Sequence, residues 1–411
     1  MKYRIWHSAE GFADYIIDKT ILKDRDCEKA VLYESDCGNP KFFHTLPDHI
    51  KKIMYLDAPD VIVECGQEPI FSIEITTEAG TGHNAFQRFA RLAAAVENNV
   101  PAIYIYPEAV AIKRKENESP KWDDINPLIF RALEKVMGIY QIPALLFYYP
   151  SDYREYKNNA VECPNINSKG LKKESPFDYA ASPSSKDSEM QKMFDILNDI
   201  ISAFEDEGIS SRPKLLSKRN ISKHITWMSN EAYVKNVSDE MSPLTATKEI
   251  PTEYLLNHLE KYQDKDYKIG ELLRTRRKTI IYCIDAGFRG DPYPGALAAI
   301  DYLVCREGKT FEERDANLVL CWGNVEIDYS NETINIKSKK CSVNDFINAV
   351  KQSESKNLLT KDYDELCAYE IPRYYMQVRY GSTYSKVKHI RVFSYFADAI
   401  LFKDGALWRD A

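Results

Sequence analysis

Asp60 and Glu74 are the residues of this 411-residue chain whose types and spacing best suit chemistry. Residues 61–63 are a short β-branched run, and Gly66-Gln67-Glu68-Pro69 is a polar turn. Residues 70–76 then alternate apolar Ile73 and Ile75 with Ser72, Glu74 and Thr76, which is the period of a strand. A hairpin folding near Gly66 brings Asp60 towards Glu74 and puts Glu74 and Thr76 on one face. Two carboxylates at one end of a sheet repel each other unless a cation lies between them. Oxygen-only ligands there suit Mg2+ or Mn2+.

The surrounding elements must hold that pair in place. Ser8 is placed to cap a helix over residues 9–22, with Glu10 in its first turn. Glu10 reads either as a helix-dipole residue or as a further site carboxylate. A strand is expected over 30–33. A helix starting at Thr45-Leu46-Pro47, with Ile50, Ile53 and Met54 inward, delivers the chain to Asp60. Downstream, residues 84–98 form the best helix, with Phe86, Phe89, Ala90, Ala93 and Val96 as the stripe that packs on the sheet. Asn84, Gln87, Arg88 and Arg91 line its other side. That side is either a solvated face or, near the helix N-terminus, a set of donors for an anion. His83, a lone histidine, reads as structural or as a weaker site candidate. Residues 102–106 supply the next strand.

This arrangement resembles the PD-(D/E)xK nuclease superfamily, best known from type II restriction endonucleases. Pro59-Asp60 matches its PD, and Glu74-Ile75-Thr76 falls where (D/E)xK stands, after a hairpin-sized gap. A loop carrying Gly80 and Gly82 leads to the helix of Gln87 and Arg88, and the order strand, strand, helix, strand is that of the family core. The resemblance spans roughly the first 110 residues. It implies a mixed central sheet flanked by helices, with Mg2+ (or Mn2+ in its stead) held by Asp60, Glu74 and the Ile75 carbonyl. Thr76 replaces the family's lysine. The resemblance then implies that Thr76 holds the attacking water by a hydrogen bond, while Gln87, Arg88 or Arg91 supplies the missing donor or charge at the scissile phosphate. The function implied is a sequence-specific endonuclease acting on double-stranded DNA as a homodimer. The alternatives are a nuclease in repair, defence or transposition, and a nucleic-acid-binding protein whose nuclease core has lost catalysis.

Length divides the chain further. Residues 1–150 are expected to form the nuclease domain and 151–188, rich in Ser, Asn, Lys and Pro, an extended connection. Residues 189–411 are then a second α/β or α+β domain for DNA recognition and dimerisation. An amphipathic helix is expected over 190–204. Arg212, Lys214, Lys218, Arg219, Lys223 and His224 make the densest basic cluster, and Arg274, Arg276, Arg277 and Lys278 a shorter one. Both suit phosphate contacts, or ordinary surface. Strands are expected over 279–284 and 317–322, with Asp285 and Asp291 in a turn and helix start between them. Residues 374–408 alternate in places and end in aromatic groups that dock on the body.

A formal net charge of -7 excludes a protein that coats nucleic acid non-specifically, while leaving room for a local basic cleft. The nine cysteines show no C-x2-C pair, so zinc ribbons are not expected, and their odd number fits reduced thiols in a cytoplasm. No stretch has the length and apolarity of a membrane span.

Overall fold

A computed structural model describes residues 1–32, 46–54, 58–76, 83–125, 127–164, 166, 182–234, 247–262, 274, 276–283, 316–321, 323–337, 342 and 398–408. The chain divides into two compact units, Met1–Val237 and Ser238–Ala411. Both are mixed α/β.

In the first unit β1 (Lys2–His7), α1 (Glu10–Lys19), β2 (Asp26–Val31) and α2 (Asp48–Met54) precede the hairpin β3 (Val61–Cys65) and β4 (Glu68–Ile75). Then follow α3 (His83–Glu97), β5 (Ala102–Pro107), the small hairpin β6 (Ala109–Ile112) and β7 (Lys121–Asp124), α4 (Leu128–Tyr140) and β8 (Ala144–Tyr149). The short α5 (Tyr153–Tyr156) leads towards α6 (Ser188–Glu207) and α7 (Arg219–Val234).

The central sheet has the order β2-β1-β3-β4-β5-β8. Strand β3 runs antiparallel to both of its neighbours, β1 and β4, whereas β5 and β8 continue parallel to β4. The hairpin turns on Gly66 and Gln67 alone, both at positive φ (59° and 83°), the geometry that matches strand twist in a two-residue loop. Glu68 and Pro69, expected in the turn, therefore lie in β4. Pro69 cannot donate to a ladder, and the register shifts beside its partner Glu64.

Helices cover both faces. On one, Tyr15 of α1 packs edge-on to Phe194 of α6 (5.5 Å), and Tyr3 of β1 donates to Glu205 of α6 (2.6 Å). On the other lie α3 and α4, the latter through Phe130 against Tyr148 (6.2 Å). Helix α7 closes the edge of β8, where His224 Nε2 meets the Leu146 carbonyl at 2.8 Å.

Two expectations about organisation change. Helices α6 and α7 pack on β8, so 188–234 belong to the first unit and not to a recognition domain. The described part of 151–188 is folded, with the Trp122 indole donating to the Tyr156 carbonyl (3.0 Å) and Asp152 buried. Residues 167–181 of that stretch lie outside the described residues.

The second unit contains β9 (Thr247–Pro251), α8 (Thr252–Tyr262), β10 (Lys278–Cys283), β11 (Ala316–Cys321), the hairpin β12 (Asn324–Asp328) and β13 (Thr333–Lys337), β14 (Ala399–Phe402) and β15 (Gly405–Trp408). Its sheet order is β15-β14-β11-β10-β9, parallel across β10, β11 and β14 and antiparallel at both edges. Leu255 and Leu259 of α8 pack with Ile281, Val319 and Leu401 of the sheet and Val325 and Ile334 of the hairpin. Asp285, Asp291 and most of 374–408 lie outside the described residues. Among the described residues no helix is long and apolar enough to cross a membrane.

Candidate active site

The site forms where β3 begins and β4 ends. Antiparallel pairing runs out at Val61 opposite Ile73, so the Ile75 N–H has no backbone acceptor on β3. Asp60 supplies one from its side chain, its Oδ2 accepting from Ile75 N at 2.8 Å. The main chain of Asp60 is fixed too, because its carbonyl accepts from Ser8 N (3.0 Å). An aspartate just before a strand is thus held as a cap.

Glu74 stands opposite Tyr104 in the parallel β4–β5 ladder, and Thr76 continues that ladder through its N–H to Ile105 O (2.9 Å). Strand alternation puts Glu74, Thr76, Tyr104 and Tyr106 on the α3 face. All four are buried, Glu74 and Thr76 at 2 % exposure each. A buried carboxylate requires compensation, and α3 provides it. Arg91 Nη1 donates to both Glu74 oxygens at 2.5 Å, and Arg88 Nη1 donates to Glu74 Oε1 and reaches the Ile75 carbonyl at 3.4 Å. Tyr104 Oη donates to the Arg88 carbonyl, pinning α3 over the strand.

The polar side of α3 is therefore not a solvated face at Arg88 and Arg91. Phe89 and residues 92–96 are also buried, so both sides of the helix are covered in that half. Gln87 lies in α3, but its side chain is outside the described residues, as is that of His83.

Burial, and then the charge of Glu74, push the Asp60 carboxyl up to about 7, against the pull of Arg88, Arg91 and the Ile75 N–H. At neutral pH the carboxyl is close to half protonated, which is the range suited to acid–base work. Burial raises the Tyr104 and Tyr106 phenols far above their ordinary value, so both remain neutral donors. With Asp60 protonated, Glu74 is outnumbered by two guanidiniums. The cluster then carries net positive charge and suits an anion; with Asp60 ionised it is neutral.

Other expected site residues fall elsewhere. Glu10 pairs with Lys29 (2.6 Å) on an exposed surface, so it is a helix-terminus residue and not a site carboxylate. Arg212 is a structural tie, its Nη2 donating to Pro69 O (2.7 Å) and reaching Glu68 (3.4 Å) behind the hairpin turn. Lys214 pairs with Glu207. Lys218, Arg219 and Lys223 are exposed at the start of α7 and keep the charge a phosphate contact needs. His224 is buried in the β8 edge, neutral, with burial pushing it down to about 4. Arg276 is 4 % exposed and donates to Asn317 (3.1 Å) and Asp398 (3.3 Å), which removes it from any DNA surface; Arg277 is exposed.

Sequence reasoning missed Tyr104 and Tyr106. A strand reading AIYIYP beside an acid-bearing strand was the available signal. Among the described residues no group of three or more His, Cys, Asp or Glu converges as a metal site. Compared with family models, curated proteins and solved structures, the chain matches none.

Proposed function

We propose that this chain is a divalent-cation-dependent endonuclease of the PD-(D/E)xK kind, acting on double-stranded DNA, with Mg2+ or Mn2+ held by Asp60, Glu74 and the Ile75 carbonyl. One observation carries the reading. Arg88 Nη1 bridges Glu74 Oε1 and the Ile75 carbonyl, two of the three oxygens the cation would take, beside an Asp60 crowded enough to hold a proton up to about pH 7. A positive nitrogen sits where positive charge is needed. The donors named are all oxygen, two carboxylates and a carbonyl, which suits a hard cation. The strand, hairpin, helix and parallel strand (β1, β3–β4, α3, β5) follow the order of that superfamily's core.

When bound, the cation lowers the pKa of a coordinated water and neutralises charge on the phosphoryl oxygens. The chain's own residues do the rest. Asp60 gives up its proton and keeps its place through the Ile75 N–H. Arg88 and Arg91, with side chains 26 % and 16 % exposed, leave Glu74 and turn their planar donors to the phosphate. The Thr76 hydroxyl orients the attacking water, in place of the superfamily's ammonium. Lys218, Arg219 and Lys223 supply backbone phosphate contacts. Cleavage of both strands requires two such sites, hence a homodimer.

A second reading, a nucleic-acid-binding protein without catalysis, is favoured by the double clamp on Glu74. Supercoiled plasmid incubated with Mg2+ or Mn2+, with and without chelator, separates the two. We expect cation-dependent cleavage, reduced by ~10³-fold or more in Asp60→Ala and Glu74→Ala and by ~10²-fold in Thr76→Val but not Thr76→Ser. Discrete fragments identify a sequence-specific enzyme and smears a non-specific one. An intact plasmid that the protein still binds establishes the second reading.

A further inference from the structure

Helices α6 and α7 enclose a cavity of about 280 Å³ whose lining shares with the proposed nuclease only Lys223, a phosphate contact there. Lys192 and Asp195 line it from α6, and Asn220, Lys223, His224 and Trp227 from α7. Its size is at the small end for ligand sites, right for one ring system with a short appendage.

Its walls are specific. The His224 ring lies flat on Phe147 (centroids 4.0 Å, 13° between planes) and near-parallel to the Trp227 indole (5.0 Å, 28°). Trp227 is itself held by edge contacts with Tyr148 (5.3 Å) and Phe130 (6.2 Å). A pre-oriented aromatic wall of this kind costs a planar ligand little ordering entropy. The tautomer of His224 is fixed by its neighbour. A carbonyl can only accept, so Nε2 carries the hydrogen towards Leu146 O (2.8 Å), and Nδ1 of the neutral ring is an acceptor. Asp195 adds acceptor oxygens, and the exposed Lys223 and half-exposed Lys192 add donors at the rim. Lys192 also pairs with Glu189 (2.5 Å), and Asn220 with Asp199 (2.9 Å), so the rim is braced.

Aromatic wall, a buried and an exposed acceptor (His224 and Asp195) and a cationic rim together match one ligand chemistry. We propose that this cavity binds an amino-bearing nucleobase with a 5′-phosphate, the ring against Trp227, the exocyclic amine towards Asp195 and His224 Nδ1, and the phosphate at Lys223 and Lys192. The ligand comes either as a free mononucleotide or as one unpaired base of a single strand. The proposal does not rest on the nuclease reading.

Isothermal titration of the full chain with AMP, with inosine monophosphate and with a short single-stranded oligo-dA tests it. We expect saturable AMP binding, weakened about tenfold or more by loss of the amine in inosine monophosphate and by Lys223→Ala, which lies on the surface and leaves the fold intact. Asp195→Asn should narrow the gap between the two nucleotides, a change that general destabilisation does not produce. Oligo-dA binding more than ten times tighter than AMP identifies a strand base, and equal or weaker binding a free nucleotide. Glu74→Gln should abolish cleavage without altering AMP affinity, so the two readings fail separately. No saturable binding of AMP or oligo-dA at millimolar concentration, or equal affinities in wild type, Lys223→Ala and Asp195→Asn, overturns the proposal.

Discussion

Each unit buries arginine against carboxylate at one end of a mixed sheet, and the two clusters behave differently. In the second unit Arg276, Asn317 and Asp398 lie at the N-terminal ends of the parallel strands β10, β11 and β14. There Asp398 Oδ2 accepts from Leu318 N (2.9 Å) as well as from Arg276, and Asn317 links onward to Thr279 (3.3 Å) and Thr252 (3.4 Å). Among the described residues one cation meets one carboxylate there. In the first unit Asp60, Glu74, Arg88 and Arg91 lie at the opposite end, where β4 and β5 finish. Burial, and then the charge of the second carboxylate, drive Asp60 up to about 7. A matched network at a strand start is structure. Competing charges at strand ends, where open α/β sheets take their ligands, support the proposed site.

The largest loss should come from the matched cluster. Arg276→Met leaves Asp398, whose side chain is 15 % exposed, without its cation and is expected to cost ~3 kcal/mol in the second unit, read by urea denaturation, with no change in cation response at Asp60. A loss under 1 kcal/mol would make the two clusters equivalent and break the comparison.

The crowded cluster should answer with the opposite sign. Because the folded protein holds an Asp60 proton up to about pH 7 while the unfolded chain releases it near 3.8, the stability associated with that proton is present in acid. It is lost as pH rises through 7. Asp60→Asn keeps the acceptor for the Ile75 N–H and removes the titration. In cation-free buffer the variant should match wild type near pH 4 and exceed it by ~4 kcal/mol at pH 8, from about 1.4 kcal/mol per tenfold change in proton affinity. A stability difference independent of pH would show that Asp60 is not strained by Glu74.

How much of this was legible follows from the range of each interaction. The hairpin, α3, β5 and the Asp60–Glu74 pairing could be read because they depend on period and on a turn within a few residues of each strand. The inward aim of Arg88 and Arg91 was one of two readings, since a helix that is covered on two sides breaks the rule that polar residues face solvent. Arg212, His224 and Arg276 looked like one chemical type in the sequence. Their partners are Pro69 O, Leu146 O and Asp398, lying 143, 78 and 122 residues away, so local composition could not distinguish a structural tie from a phosphate contact. Lys218, Arg219 and Lys223 kept their expected surface placement because exposed lysines need no distant partner.

The central claim is that Asp60 and Glu74 are a cation site from which Arg88 withdraws. Calorimetric titration of Mn2+ at pH 7, repeated in two buffers of different ionisation enthalpy, tests it without relying on cleavage. The account predicts that wild type binds Mn2+ with release of a fraction of a proton from Asp60. Asp60→Asn and Glu74→Gln should weaken binding at least tenfold, and Asp60→Asn should also abolish the proton release. Mn2+ binding of equal affinity and proton count in all three proteins would contradict it.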